Sequence, residues 1–82
     1  MLEKTDRIEV EMKYDKLAVG DNLKEIRTKL NISAGEAGDM VECSESHIRQ
    51  LERGCRNLTV NMLCKFAEAY DTDANTILGI KH

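Results

Sequence analysis

Glu45, Ser46, Arg49 and Gln50 are spaced i, i+1, i+4 and i+5, which puts four hydrogen-bonding side chains on one face of a helix. Their chemistry is recognition. Gln50 carries an amide that can address adenine, Arg49 can grip guanine or a phosphate, and Ser46 can hydrogen-bond to several base edges. Glu45 only accepts, so it would favour a cytosine amino group and repel nearby phosphates. A catalytic centre would need a nucleophile, a base and an orienting group converging on one pocket. The two histidines are His47, on the same helix, and His82 at the chain end; the carboxylates are scattered along polar faces, and no Gly-rich phosphate loop follows a strand. No enzymatic activity, cofactor or small-molecule substrate is expected.

The cysteines add no metal chemistry. Cys43, Cys55 and Cys64 are spaced by 12 and 9 residues with no C-x-x-C pair, so a zinc site is not expected. Cys43 and Cys64 sit where the pattern wants a small apolar residue and are expected as core thiols. Cys55, beside Gly54 in a polar loop, is expected at the surface.

The elements that must position the polar face are legible from their start signals. Ser33 with Glu36 has the S-x-x-E spacing of a capping box, which opens a helix over about Ala34 to Val41. Ser44 caps a second, about Glu45 to Arg53, which runs through Ile48 and Leu51 to a stop at Gly54. Ala37, Val41, Ile48 and Leu51 give the two helices apolar faces over one shared core. This is the sequence form of a helix-turn-helix, whose second helix can lie in a DNA major groove.

A helix from about Leu17 to Leu30 precedes the pair, with Val19, Leu23, Ile26 and Leu30 on one face and Asn31 suited to a left-handed turn after it. Thr59 caps a fourth, about Val60 to Tyr70, and Asp73 a fifth, about Ala74 to Leu78, ended by Gly79. Gly35 and Gly38 weaken the second helix by on the order of 1 kcal/mol each. From Arg7 to Tyr14 apolar residues alternate strictly, as in a strand with one apolar face. Such a strand either pairs with its copy in a second subunit, or the segment is a disordered or helical arm.

At these residues the chain resembles the Cro/C1-type (XRE-like) helix-turn-helix domains of phage repressors and bacterial regulators. The resemblance covers about Leu17 to Ile80. It is sharpest over Ser44-Glu45-Ser46-His47-Ile48-Arg49-Gln50-Leu51-Glu52-Arg53-Gly54 and the following Arg56-Asn57-Leu58-Thr59. It implies an all-α, compact five-helix bundle of the lambda-repressor-like type over residues 17–80, with an N-terminal strand or extended arm over 1–16 and a short tail at 81–82.

The resemblance also implies roles. Arg56 and Asn57 match the family's clamp on the DNA backbone, with Arg53 close enough to assist and His47 as a packing or phosphate-flanking residue. The residue opening the second helix often anchors a phosphate there; here it is Ala34, which leaves Ser33 and the helix N-terminus to serve. Arg27 and Glu52 stand where some phage repressors have a buried ion pair joining the first helix to the third. The family commonly has Gly at the turn position held by Glu42, and Pro where this chain has Leu58, which should loosen the way into the fourth helix.

The net charge of −3 is awkward for a nucleic-acid binder, and no segment is basic overall. Binding would rest on local placement of a few arginines. The expected function is a sequence-specific DNA-binding transcriptional regulator, a homodimer on double-stranded DNA. The alternative is a protein-interaction module that keeps the fold without binding DNA, for which Ala34, Glu42, Glu45 and the acidic balance argue. No apolar run approaches the roughly 20 residues that span a bilayer. The N-terminus lacks the pattern of a secretory signal, so a cytoplasmic location without a membrane partner is expected. The dimer surface is either the N-terminal strand or the neighbourhood of Ile77, Leu78 and Ile80.

Overall fold

Five helices, each opened by a side chain that satisfies its first N–H groups, make up the described part of the computed structural model, residues 15–80. Helix α1 (Lys16–Lys29) begins at Asp15, whose Oδ1 accepts from the N–H groups of Leu17 and Ala18 at 3.0 and 3.3 Å. Helix α2 (Ala34–Val41) has both halves of the capping box. Ser33 Oγ accepts from the Glu36 N–H at 3.0 Å, and Glu36 Oε1 accepts from the Ser33 N–H at 2.8 Å. Ser44 caps α3 (Glu45–Glu52) and Thr59 caps α4 (Val60–Ala69), through the N–H groups of His47 and Met62 at 3.0 and 3.1 Å. Asp73 caps α5 (Ala74–Leu78) through the Thr76 N–H at 2.7 Å. A cap of this kind typically stabilises by about 1 kcal/mol.

A left-handed residue follows each of the five helices. Asn31 (φ 62°), Glu42 (φ 63°), Gly54 (φ 76°), Asp71 (φ 54°) and Gly79 (φ 76°) turn the chain after α1, α2, α3, α4 and α5 in that order. Asparagine and glycine take this conformation readily; glutamate does so at a cost of roughly 1–2 kcal/mol. The turn between α2 and α3 therefore keeps the shape that glycine serves best. Glu42 also meets Lys65 of α4 at 3.0 Å, an exposed pair that offsets little of the strain.

Helix α2 packs chiefly on α3, α1 on α3 and α5, and α4 on α2 and α5. Between them lies an aliphatic core of Val19, Leu23, Ala34, Ala37, Val41, Ile48, Leu51, Leu58, Leu63 and Ile77, with Phe66 and Tyr70 tilted at 52° and 5.3 Å between ring centres. Two close approaches fix the position of α3. A Cβ on Gly38 would lie 2.6 Å from the Cys43 carbonyl oxygen, and one on Gly20 would lie 2.7 Å from that of Leu51. Neither position has room for a side chain.

Several side chains face otherwise than the sequence suggests. Leu30 follows α1 at 44% exposure, outside the core stripe, because the helix has ended at Lys29 and the chain is already turning. Cys64 is exposed, since Leu63 and Phe66 take the inward face of α4; Cys43 is only half-buried. Leu58, in place of a rigid proline, is 2% exposed and anchors the loop before α4 through its own apolar contacts. Ile77 is wholly buried, so only Leu78 and Ile80 remain for an α5 surface. The alternating segment from Arg7 to Tyr14, and residues 81–82, lie outside the described residues.

Candidate nucleic-acid interface

Helix α3 is held by one side and presents the other. Ile48, Leu51 and Glu52 are buried. Glu45, Ser46 and Arg49, with Arg53 at the helix end, are exposed, while His47 and Gln50 are half-buried. At 100° per residue, positions 45, 49, 53, 46 and 50 follow one another around an arc of about 140°, opposite the buried stripe. The helix is short, but its opening turn is exposed at Glu45 and Ser46.

Three of the polar side chains on this face, Glu45, Arg49 and Gln50, are already paired. Arg49 Nε and Nη2 both donate to Glu45 Oε2, at 3.1 and 2.6 Å, one turn apart. Arg56, in the loop after α3, donates from Nε to Gln50 Oε1 at 2.7 Å. His47 has its pKa lowered, first by burial and then by the charge of Arg56, so it is neutral near pH 7. Asn57 is exposed next to Arg56, on a loop pinned by Leu58. Ser33 stands at the N-terminus of α2, where its Oγ serves as the cap and the Glu36 carboxylate lies against its N–H. That carboxylate competes with any phosphate approaching this helix end.

Behind the face, Arg27 and Glu52 join α1 to α3. Arg27 Nε and Nη2 donate to Glu52 Oε2 and Oε1 at 2.6 and 3.0 Å, and Nη1 donates to the Ile32 carbonyl oxygen at 2.9 Å. The side chains are 10% and 6% exposed. The hydrogen bond to Glu52 raises the Arg27 pKa further above its already high value. Arg27 is thus spent inside the fold and contributes nothing to an outward positive patch. The Tyr70 hydroxyl is buried in the same region with no hydrogen-bond partner among the described residues, and burial pushes its pKa up to about 12, helped by the charge of Glu52.

An open groove of about 650 Å³ runs beside α3, lined by Leu17, Asp21 and Lys24 of α1 together with Arg49, Arg53 and Cys55. It brings Lys24 into line with Arg49 and Arg53, a cation that spacing along the chain does not point to. Its only sequence signal is its place one turn after Gly20, where α1 comes against α3. Among the described residues, no group of three His, Cys, Asp or Glu side chains converges to hold a metal. No helix of the described residues is long and apolar enough to cross a membrane.

A helix-turn-helix family model matches residues 23–77, from the middle of α1 into α5. The chain belongs to the Cro/C1-type helix-turn-helix family. This is a family of DNA-binding transcription regulators. The chain is similar to the HTH-type transcriptional regulator RamB of Mycobacterium tuberculosis, with 32% identity over 59 residues. That stretch is 72% of this chain and 12% of RamB, so the chain spans a small part of that regulator's length. Among solved structures it resembles the restriction-modification controller protein C.AhdI from Aeromonas hydrophila (TM-score 0.74, 27% identity). It also resembles the P22 c2 repressor, solved in complex with a synthetic operator (TM-score 0.72, 25% identity). Each likeness covers 77% of this chain and 96% of the other.

Proposed function

We propose that this chain is a sequence-specific DNA-binding transcriptional regulator that lays α3 in the major groove and works as a homodimer on a palindromic operator. The observation that carries the reading is the outer arc of α3, where Glu45, Ser46, Arg49 and Gln50 stand clear of the core next to Arg53 and Arg56. Ser46, Arg49 and Gln50 read base edges, and Glu45 restricts which base Arg49 can approach. Arg53, Arg56 and Asn57 hold phosphates along one strand, with His47 flanking them and Ser33 marginal beside Glu36. The Arg27–Glu52 pair orients α3 and touches no base.

Affinity here comes from few cations, so its salt dependence is diagnostic. A gel shift against mixed-sequence duplex between 50 and 200 mM salt should show binding that falls with a log–log slope of about −0.9 per phosphate contacted. No retardation at the lower salt would sink the reading.

That result would favour the second reading, a protein-interaction module on the same fold. Its specific support is the Glu45–Arg49 pair at 2.6 Å, which neutralises a principal reading arginine.

The homodimer proposal rests on the alternating Ile8, Val10, Met12 and Tyr14, a pattern suited to antiparallel pairing across a two-fold axis. Such pairing would set two α3 helices at a fixed separation, as half-sites about 34 Å apart require. Deleting residues 1–14 should give a monomer in sedimentation and weaken operator binding. If the truncated protein remains a dimer of unchanged affinity, the surface around Leu78 and Ile80 takes its place.

A further inference from the structure

Arg56 meets Gln50 across the end of α3, six residues along the chain, and the atoms involved decide what Gln50 can offer. An arginine Nε–H only donates, so the Gln50 atom 2.7 Å away is the carbonyl oxygen. That contact fixes which way round the amide stands. Its oxygen is turned to Arg56, and its NH2 group is the end left for another partner. The guanidinium itself places positive N–H groups immediately beside the amide.

The two side chains together form an edge made of donors. Glutamine reads adenine by accepting from the N6 amino group while donating to N7, and this requires an available oxygen. One lone pair of Oε1 is taken. An adenine amino group seeking the other would bring its positive hydrogens against those of the guanidinium. Guanine presents two acceptors, O6 and N7, in the same place and matches a donor edge.

We infer that Arg56 is a specificity-determining residue acting through Gln50, turning Gln50 from a reader of adenine into a reader of guanine. The inference rests on the DNA-binding reading above and sharpens it. Arg56 then has two functions at once, with Nε positioning Gln50 and its terminal nitrogens turned to a phosphate. A residue that only clamps the backbone would leave base preference untouched, which separates the two.

The test is selection from a randomised duplex pool by the full chain and by three variants, R56M, Q50A and Q50A/R56M. Arg56 is exposed, and unchanged melting temperatures would show that each variant folds. The wild type should enrich guanine over adenine at one position of each half-site by on the order of tenfold. R56M should bind more weakly and shift that one position toward adenine, leaving the others alone. In the Q50A background, adding R56M should weaken binding uniformly and change no preference. The inference is overturned if the wild type enriches adenine at the position lost in Q50A, or if R56M loses affinity with every preference intact. Failure of the wild type to enrich any sequence would instead remove the DNA-binding reading, and this inference with it.

Discussion

Arg27 and Glu52 are joined by two parallel contacts, at 2.6 and 3.0 Å, across the junction of α1 and α3. The third arm of the same guanidinium reaches the Ile32 carbonyl in the loop before α2. One side chain therefore ties together both helices and the loop that leads into the helix-turn-helix. Glu52→Ala would leave a buried guanidinium without its carboxylate and should cost about 3–5 kcal/mol in urea denaturation. Replacing both partners, Arg27→Met with Glu52→Leu, should recover most of that loss. A single substitution costing less than about 1 kcal/mol would show that the pair is solvated.

Gly20 of α1 and Gly35 of α2 should respond in opposite directions. A Cβ on Gly35 meets Glu45 Oε1 at 3.5 Å, an ordinary contact, so Gly35→Ala should stabilise by about 0.5–1 kcal/mol through helix propensity. Gly20→Ala, against the carbonyl groups of Leu51 and Glu52, should destabilise and displace α3. Thermal melting of the two variants checks both signs.

Tyr70 carries a pH dependence. Its hydroxyl is buried with no partner among the described residues, and its pKa is pushed up to about 12, against about 10 in an unfolded chain. The folded state holds the proton more tightly, so this contribution to stability is whole below pH 10 and is lost as pH rises from 10 toward 12. Tyr70→Phe should raise stability by about 1 kcal/mol at pH 8 by removing an unsatisfied polar atom. It should also flatten the alkaline fall in denaturation midpoint. A variant less stable than the wild type at pH 8 would mean that the hydroxyl has a partner in solution.

Glu45 holds Arg49 from one turn away. Glu45→Gln should release the guanidinium and remove a charge that repels phosphates. On the proposed function, binding to mixed-sequence DNA should tighten several-fold at low salt, with the gain fading as salt is raised. Salt-titrated fluorescence anisotropy reads both. Unchanged affinity at low salt would place Glu45 away from the DNA.

What could be read from the sequence follows the range of the interactions involved. Ser33, Ser44, Thr59 and Asp73 cap their helices through N–H groups three residues on, and a side chain of that type at that spacing announces itself. Asn31 is legible for the same local reason, by its tolerance of positive φ. The pattern places Cys64 and Leu30 in the core because periodicity gives a stripe without the limits of its burial, which Leu63, Phe66 and the end of α1 decide. In the sequence Leu58 reads as the loss of a rigid proline; in the structure it is a core residue. The Gln50–Arg56 contact and the inclusion of Lys24 in the groove cross between elements, and no periodicity reports them. The arc of polar residues on α3 was visible; the pairing within it was not.

The buried side chains of α3 are Ile48, Leu51 and Glu52, and this makes the helix a candidate for transplantation. Its outer letters can be exchanged for those of another regulator while the three anchoring positions and Gly20 stay fixed, so the graft need not disturb the host's core. The length of the cassette matters. A graft cut at Glu52 would carry Gln50 without Arg56 and would bring the amide to its new host unoriented. The unit that moves intact runs from Glu45 to Arg56, with the loop travelling alongside the helix.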